Sequence, residues 1–168
     1  MAVSPITLDL AMPGDAITLA QMARDYIETG LGWSYQPRRI GELIRDPNVT
    51  ALVARDAACT AGFAIMSFGD DRAHLVLLAV HPSRRRRGIG RRLLDWLVES
   101  ATTAGMASIH VELRADNAAA YAMYESAGFA ETFRVPRYYR GRETAVRMLR
   151  VLRAPGVVAP AWHPPAAR

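Results

Sequence analysis

The sequence predicts an α+β protein: one mixed, mostly antiparallel sheet of about six to seven strands, flanked by about four helices. Three observations carry that expectation. Short segments of strand character are bounded by clusters of Gly, Pro, Asn and Asp. Four other segments place apolar residues at helical spacing and carry identifiable caps. The order is strand, two helices, three strands, helix, strand, helix, two strands. Its central strand–helix–strand unit, Leu75 to Leu113, predicts a parallel crossover within the sheet.

Element by element, Ile6–Leu10 alternates as a first strand. Asp15 follows a Pro13-Gly14 turn and is placed to cap a helix reaching about Glu28, with Ile17, Ala20, Met22 and Ala23 as its apolar face. The segment Gly30–Pro37 breaks that pattern, and Arg38–Arg45 resumes it, with Ile40, Leu43 and Ile44 inward. Thr50–Arg55, Ala61–Phe68 and Ala73–Val80 then read as an antiparallel meander. From Gly88 the residues Leu93, Leu94, Leu97, Val98 and Ala101 form one helical stripe, which Gly105 ends. Ser108–Leu113 is a strand. Ala118–Ala127 is a helix between an Asn117 N-cap and a Gly128 C-cap. Phe129–Arg134 and Thr144–Leu152 are the last strands, joined by an Arg- and Tyr-rich loop, Val135–Glu143. Residues 1–153 are expected to form a single domain, and the Pro/Ala-rich tail, 154–168, to be disordered.

Composition narrows the class. The 168 residues are 51% hydrophobic and 22% charged, the balance of a globular protein. No apolar run approaches the ~20 residues of a membrane span, and the N-terminus lacks the pattern of a secretory signal. Cys59 is the only cysteine, which excludes an internal disulfide and a cysteine-rich metal site. No metal ligands and no membrane are expected, and the expected location is cytoplasmic. The net charge is +5, and all 21 basic residues are Arg. Six of them, Arg84–Arg87 with Arg91 and Arg92, crowd one stretch. A basic cluster attracts polyanions: nucleic acid, acidic proteins or a phosphorylated cofactor.

That stretch has a definite setting. A strand ends at Val80, His81-Pro82-Ser83 leaves it, and Arg85-Arg86-Arg87-Gly88-Ile89-Gly90 turns into a helix. Free N–H groups at a helix start and the helix dipole favour a pyrophosphate. Gly88 and Gly90 let phosphate oxygens approach the backbone. No Gly-Lys-Ser/Thr follows, so this is no Walker loop, and the third glycine of a dinucleotide fingerprint is missing. Nucleic-acid binding would call for aromatics beside the arginines, and none adjoins the run.

The segment resembles the signature of the GNAT superfamily of N-acetyltransferases, Gln/Arg-x-x-Gly-x-Gly/Ala at the start of a helix. The stretches Val111–Ala120 and Ala122–Phe129, with Arg137-Tyr138-Tyr139, are most similar to bacterial enzymes that acetylate the N-terminal alanine of a ribosomal protein. The resemblance runs from about Ile6 to Arg153, in outline only over the N-terminal third. It implies a GNAT-like fold and acetyl-CoA as donor. Arg85, Arg86, Arg87, Gly88, Ile89, Gly90 and Arg91 would hold the pyrophosphate, and Leu78, Ala79 and Val80 would pair with the pantetheine arm. His81 replaces an acidic residue frequent there.

Acetyl transfer needs a neutral amine and a group to meet the leaving thiolate. Glu112 lies on the same strand face as Ser108 and His110. By itself it reads first as a carboxylate on a half-exposed strand, salt-bridged to an Arg; the resemblance implies the general base. Tyr124, with an ordinary phenol pKa of about 10, reads as a core tyrosine or, by the resemblance, as the acid near the CoA sulfur. Asn117 caps a helix and, by the resemblance, also bonds the CoA arm. Trp33, Tyr35, His110, Arg137, Tyr138 and Tyr139 are candidates for the acceptor side. The acceptor is expected to be an amine, either a peptide N-terminus or a small molecule such as an amino acid, polyamine or aminoglycoside. A non-catalytic acyl-CoA or nucleic-acid binding module is the other class considered. The protein is expected to be a monomer or homodimer.

Overall fold

The computed structural model describes residues 5–57 and 59–153; the tail at 154–168 lies outside the described residues. Seven strands form one sheet: β1 (Ile6–Leu10), β2 (Val49–Asp56), β3 (Cys59–Phe68), β4 (Arg72–Val80), β5 (Ser108–Arg114), β6 (Ala130–Tyr139) and β7 (Glu143–Val151). Their spatial order is β1-β2-β3-β4-β5-β7-β6. Every neighbouring pair is antiparallel except β4 and β5. The helices are α1 (Ala16–Met22), α2 (Pro37–Arg45), α3 (Ile89–Thr103) and α4 (Ala118–Ser126). This is the expected α+β architecture, with seven strands and four α-helices among the described residues.

Strand alternation divides the core into two layers. On β3, Ala64 and Met66 join Leu93, Leu94, Leu97, Ile109 and Phe129 under α3 and α4. Phe63 and Ile65 instead pack with Leu19, Ile40 and Leu77 under α1 and α2. These are fully or almost fully buried side chains, and each Leu, Ile, Met and Phe among them contributes about 1.5–3 kcal/mol by leaving water.

Several local expectations are corrected. Asp15 is helical and caps nothing ahead of it; its carboxylate accepts from the Met12 N–H at 2.8 Å and pairs with Arg55. Ile17 faces outward, and Leu19 takes the core position instead. After Met22 the helix widens to a π-helical segment, Ala23–Ile27, where Glu28 N–H bonds Ala23 O. The stretch read as a loop from Val135 is strand as far as Tyr139, interrupted by register shifts and by Arg137 at φ +55°. Bulges of this kind let Pro136 sit within a sheet edge.

Two glycines decide how α3 meets the sheet. Gly88 adopts φ +74° and starts the helix. At Gly62 on β3, a Cβ would meet Ala79 O at 2.9 Å and Ile89 Cγ2 at 3.3 Å. The strand pair can therefore receive the first turn of α3 only with no side chain there. Gly62→Ala should cost about 1–3 kcal/mol through overpacking, seen as a lower urea midpoint; an unchanged midpoint would show that α3 has room to shift.

Candidate active site

The parallel pairing of β4 and β5 is short. It runs from Arg72 opposite Ser108 to Leu75 opposite Val111 and then stops. Beyond that point β4 stays bonded to β3 as far as Val80, and β5 to β7 as far as Arg114. The two strands therefore part, and the edge of β4 from Val76 to Val80 faces no strand among the described residues. Between them lies a cleft of about 400 Å³. Val76, Leu77 and Leu78 form one wall, and Glu112, Leu113 and Arg114 the other. Tyr26 and Ile27 of the π-helical segment close one face, and Asn117, Ala120 and Tyr124 the opposite face.

At one end of this cleft is the arginine turn. The left-handed residues Arg86 (φ +60°) and Gly88 (φ +74°) alternate with Arg87, a geometry that gathers successive N–H groups on a concave side. Among the described residues, the N–H groups from Arg86 to Arg91 meet no acceptor; the first helical bond is Arg92 N–H to Gly88 O. Space beside Gly88 is open. Gly90 is different, because a Cβ there would meet Met123 Sδ at 3.2 Å and Val80 Cγ2 at 3.5 Å. Its role in the structure is close packing of α3 on α4 and β4.

The arginines divide in the same way. Arg84 and Arg87 pair with Asp56. Arg85 donates to Val80 O at 3.2 Å and lies 5.9 Å from the Tyr26 ring centre. Arg91 pairs with Asp95 and donates to Ser126, and Arg92 donates to Ile6 O. Arg86 alone of the run has no protein partner among the described residues. Ile89 is buried in the core, and Ala79 is buried on the α1–α2 side.

Glu112 is the first β5 residue past the last strand pair. Its Oε2 accepts from Arg147 Nε at 2.8 Å across β7. The salt bridge anticipated for a half-exposed strand carboxylate is therefore present. The same side chain also lines a second cleft, of about 780 Å³, with Tyr35, His74, His110, Phe133, Tyr138 and Arg147. Glu112 thus stands at the wall shared by the two clefts.

Tyr124 is buried with its ring on Phe129. Burial pushes its phenol well above the usual tyrosine range. No described group bonds its hydroxyl, and it lines the first cleft. Tyr139, also in that cleft, is pushed up to about 12, first by burial and then by the charge of Glu112. The Asn117 side chain accepts from Ala120 N–H at 3.1 Å, so the predicted N-cap is in place at the cleft edge.

The acceptor-side candidates separate. Tyr35, His110 and Tyr138 line the second cleft and Tyr139 the first. Trp33 lines neither; its indole N–H bonds Ala20 O at 3.1 Å. Arg137 is exposed at the bulge beside Tyr138. Sequence reasoning overlooked His74, which faces the second cleft. It also overlooked Glu28, a buried carboxylate that accepts from the N–H groups of Ser34 and Tyr35 and so fixes the loop carrying Tyr35. No local pattern marked Glu28, which ends the helix on the same side as the exposed Arg24 and Asp25 and is buried only by the loop folding back over it.

Residues 19–129 match the model described as the Acetyltransferase (GNAT) family. The chain is 44% identical over 91 residues to the [ribosomal protein bS18]-alanine N-acetyltransferase of Salmonella typhimurium, covering 52% of this chain and 62% of that protein. It therefore spans under two thirds of the length of the bS18 enzymes it matches. It is 30% identical over 142 residues to the N-alpha-acetyltransferase RimI of Mycobacterium tuberculosis, covering 81% of this chain and 85% of that one. Its structure is similar to the crystal structure of the Escherichia coli ribosomal-protein-S18-alanine N-acetyltransferase, with a TM-score of 0.76 at 28% identity over 95% of this chain and 99% of that one. Among the described residues no helix is long and apolar enough to cross a membrane.

The partners of the arginines give a direct test. Arg86→Gln should weaken coenzyme A binding roughly fivefold, about 1 kcal/mol for one exposed charge contact, without lowering the melting temperature. Arg84→Gln should do the reverse, because Asp56 loses its closest partner. Calorimetry showing equal affinity losses for both would mean that the turn is not read in this way.

Proposed function

This chain belongs to the acetyltransferase (GNAT) family, and from that premise we propose that it transfers the acetyl group of acetyl-CoA to the N-terminal amine of a protein or peptide. The observation that carries the proposal is the position of Glu112 on the wall common to both clefts. One cleft suits the donor. Its unpaired β4 edge offers backbone groups to an amide-bearing arm, and the free N–H groups of Arg86 to Arg91 suit a pyrophosphate. The other suits the acceptor.

The names of the relatives support a peptide acceptor, since one is named for an alanine of ribosomal protein bS18 and the other as an N-alpha-acetyltransferase. The second cleft agrees with them. Its walls include Tyr35, Phe133 and Tyr138, and its volume of about 780 Å³ admits several residues of an extended chain. A polyamine or an aminoglycoside, each a polycation, would meet Arg72 and Arg147 there and a single carboxylate already engaged by Arg147.

The chemistry follows from the placement. A free α-amine, with a pKa of about 7.7–8.0, is largely protonated at neutral pH. Glu112 accepts its proton, and the neutral nitrogen attacks the acetyl carbonyl carbon. As the C–S bond breaks, the nitrogen gives up its second proton, which ends on the departing sulfur to leave CoA as the thiol, and Tyr124 meets that sulfur as its negative charge develops. A phenol raised by burial is a weaker acid than a thiol, with a typical pKa of about 8.5. Tyr124 therefore stabilises the thiolate by donating a hydrogen bond, without giving up its proton in full. No covalent enzyme intermediate is involved; Cys59 is exposed at the start of β3, outside both clefts.

Two variants test this assignment with an N-terminal alanine peptide as acceptor. Glu112→Gln should lower kcat by about 10²-fold or more and flatten the rise of rate with pH, leaving acetyl-CoA affinity intact. Tyr124→Phe should lower kcat by about 10²-fold, the cost of one donor to a developing anion. A Glu112→Gln enzyme with the wild-type pH profile would remove the carboxylate from the proton path.

A further inference from the structure

We propose that His74 is the proton outlet of the acceptor cleft, taking from Glu112 the proton that the acceptor amine releases and passing it to solvent; this rests on the amine acetyl transfer proposed above.

The starting point is the state of Glu112. Its Oε2 is bonded to the Arg147 guanidinium. A proton arriving on this carboxylate weakens a close ion pair and must be passed on before the next turnover. The strand register shows what stands ready to receive it. His74 on β4 is the direct partner of His110 on β5, one pair before the strands separate, and Glu112 lies two residues beyond His110 on the same face. Both histidines and Glu112 line the second cleft.

The two imidazoles differ. His110 Nε2 is 3.0 Å from Ser108 Oγ. Among the described residues nothing bonds the His74 ring, and the side chain reaches solvent. His74 is therefore the imidazole of this cleft with both ring nitrogens open and the more exposed side chain, whereas Ser108 engages one nitrogen of the less exposed His110. The groups facing it are Glu112 and His110 from β5, Arg147 from β7, Tyr138 and Phe133 from β6, Tyr35 from the loop before α2, and Arg72 on its own strand. Ser67 of β3 is its partner on the other side. Partial desolvation holds its pKa below the ordinary imidazole value; the charge of Glu112 opposes that effect, and His110 and Arg147 add to it. At neutral pH the ring is uncharged, which is the form a proton acceptor needs.

The transfer balances without a further reagent. The acceptor ammonium gives one proton to the Glu112 carboxylate, and the resulting carboxylic acid gives it to a free nitrogen of neutral His74, directly or through one water. The imidazolium then releases it to bulk solvent, restoring both side chains.

The test combines a proton titration with kinetics on the full chain. In NMR, the imidazole resonance lost in His74→Gln identifies His74. Its titration midpoint in the wild type should lie below the ordinary value and fall further in Glu112→Gln, because the charge that favours the imidazolium has gone. In turnover assays, His74→Gln should lower kcat about tenfold, less than the 10²-fold of a direct acid–base group. Its KM for acetyl-CoA should be unchanged, and added imidazole should restore the rate. A His74 midpoint indifferent to Glu112→Gln would overturn the proposal, as would a loss of kcat that imidazole does not rescue or a wild-type pH profile in His74→Gln. If the coupling is seen but the wild type acetylates no amine, the acetyl-transfer proposal fails, and the relay falls with it for that separate reason.

Discussion

The organising constraint in this molecule is the early end of one strand pairing. β4 and β5 share four residue pairs and then separate, although each continues for several residues. A sheet that stayed closed would bury the backbone of Val76–Val80 in ladder bonds and leave no passage between its faces. The separation instead produces a slot with an unpaired strand edge on one side and Glu112 on the other. It also puts Glu112 where two clefts meet.

The surrounding structure holds that fork open. β4 is anchored by its full run against β3, and β5 by seven pairs with β7. On one face, Tyr124 packs against Phe129 and sits over the gap. On the other, Arg114 donates to Thr29 O, and Glu28 takes the N–H groups of Ser34 and Tyr35. A buried carboxylate with two backbone partners is costly to lose, about 1–3 kcal/mol for the groups left unsatisfied. The loop that carries Tyr35 is therefore fixed before any acceptor arrives, which reduces the ordering cost of binding.

Much of this was legible in the sequence, and the reason is locality. Alternation over β5 correctly sorted Ile109, Val111 and Leu113 inward and Glu112 outward. The Asn117 cap and the Gly88 helix start depend on neighbouring residues alone. Readings failed where distant contacts decide. Arg134 does not end a strand, because β7 continues to pair with Val135 and Tyr139 around a bulge. Asp15 turns back to the Met12 N–H and reaches Arg55, forty residues away, instead of capping the helix that follows it. The six arginines looked equivalent as a cluster, yet Asp56 claims two of them and Arg86 stands apart. His74 was hidden within an apolar strand, since its exposure arises only from the cleft beside it.

The central claim is that the separated strands form the donor site. It is tested most directly by amide hydrogen exchange measured with and without acetyl-CoA. The account predicts slowed exchange at Val76–Val80 and at Arg86–Arg91, with little change along β1 and β2. Protection confined to other segments, or a ligand that binds without slowing these amides, would contradict it.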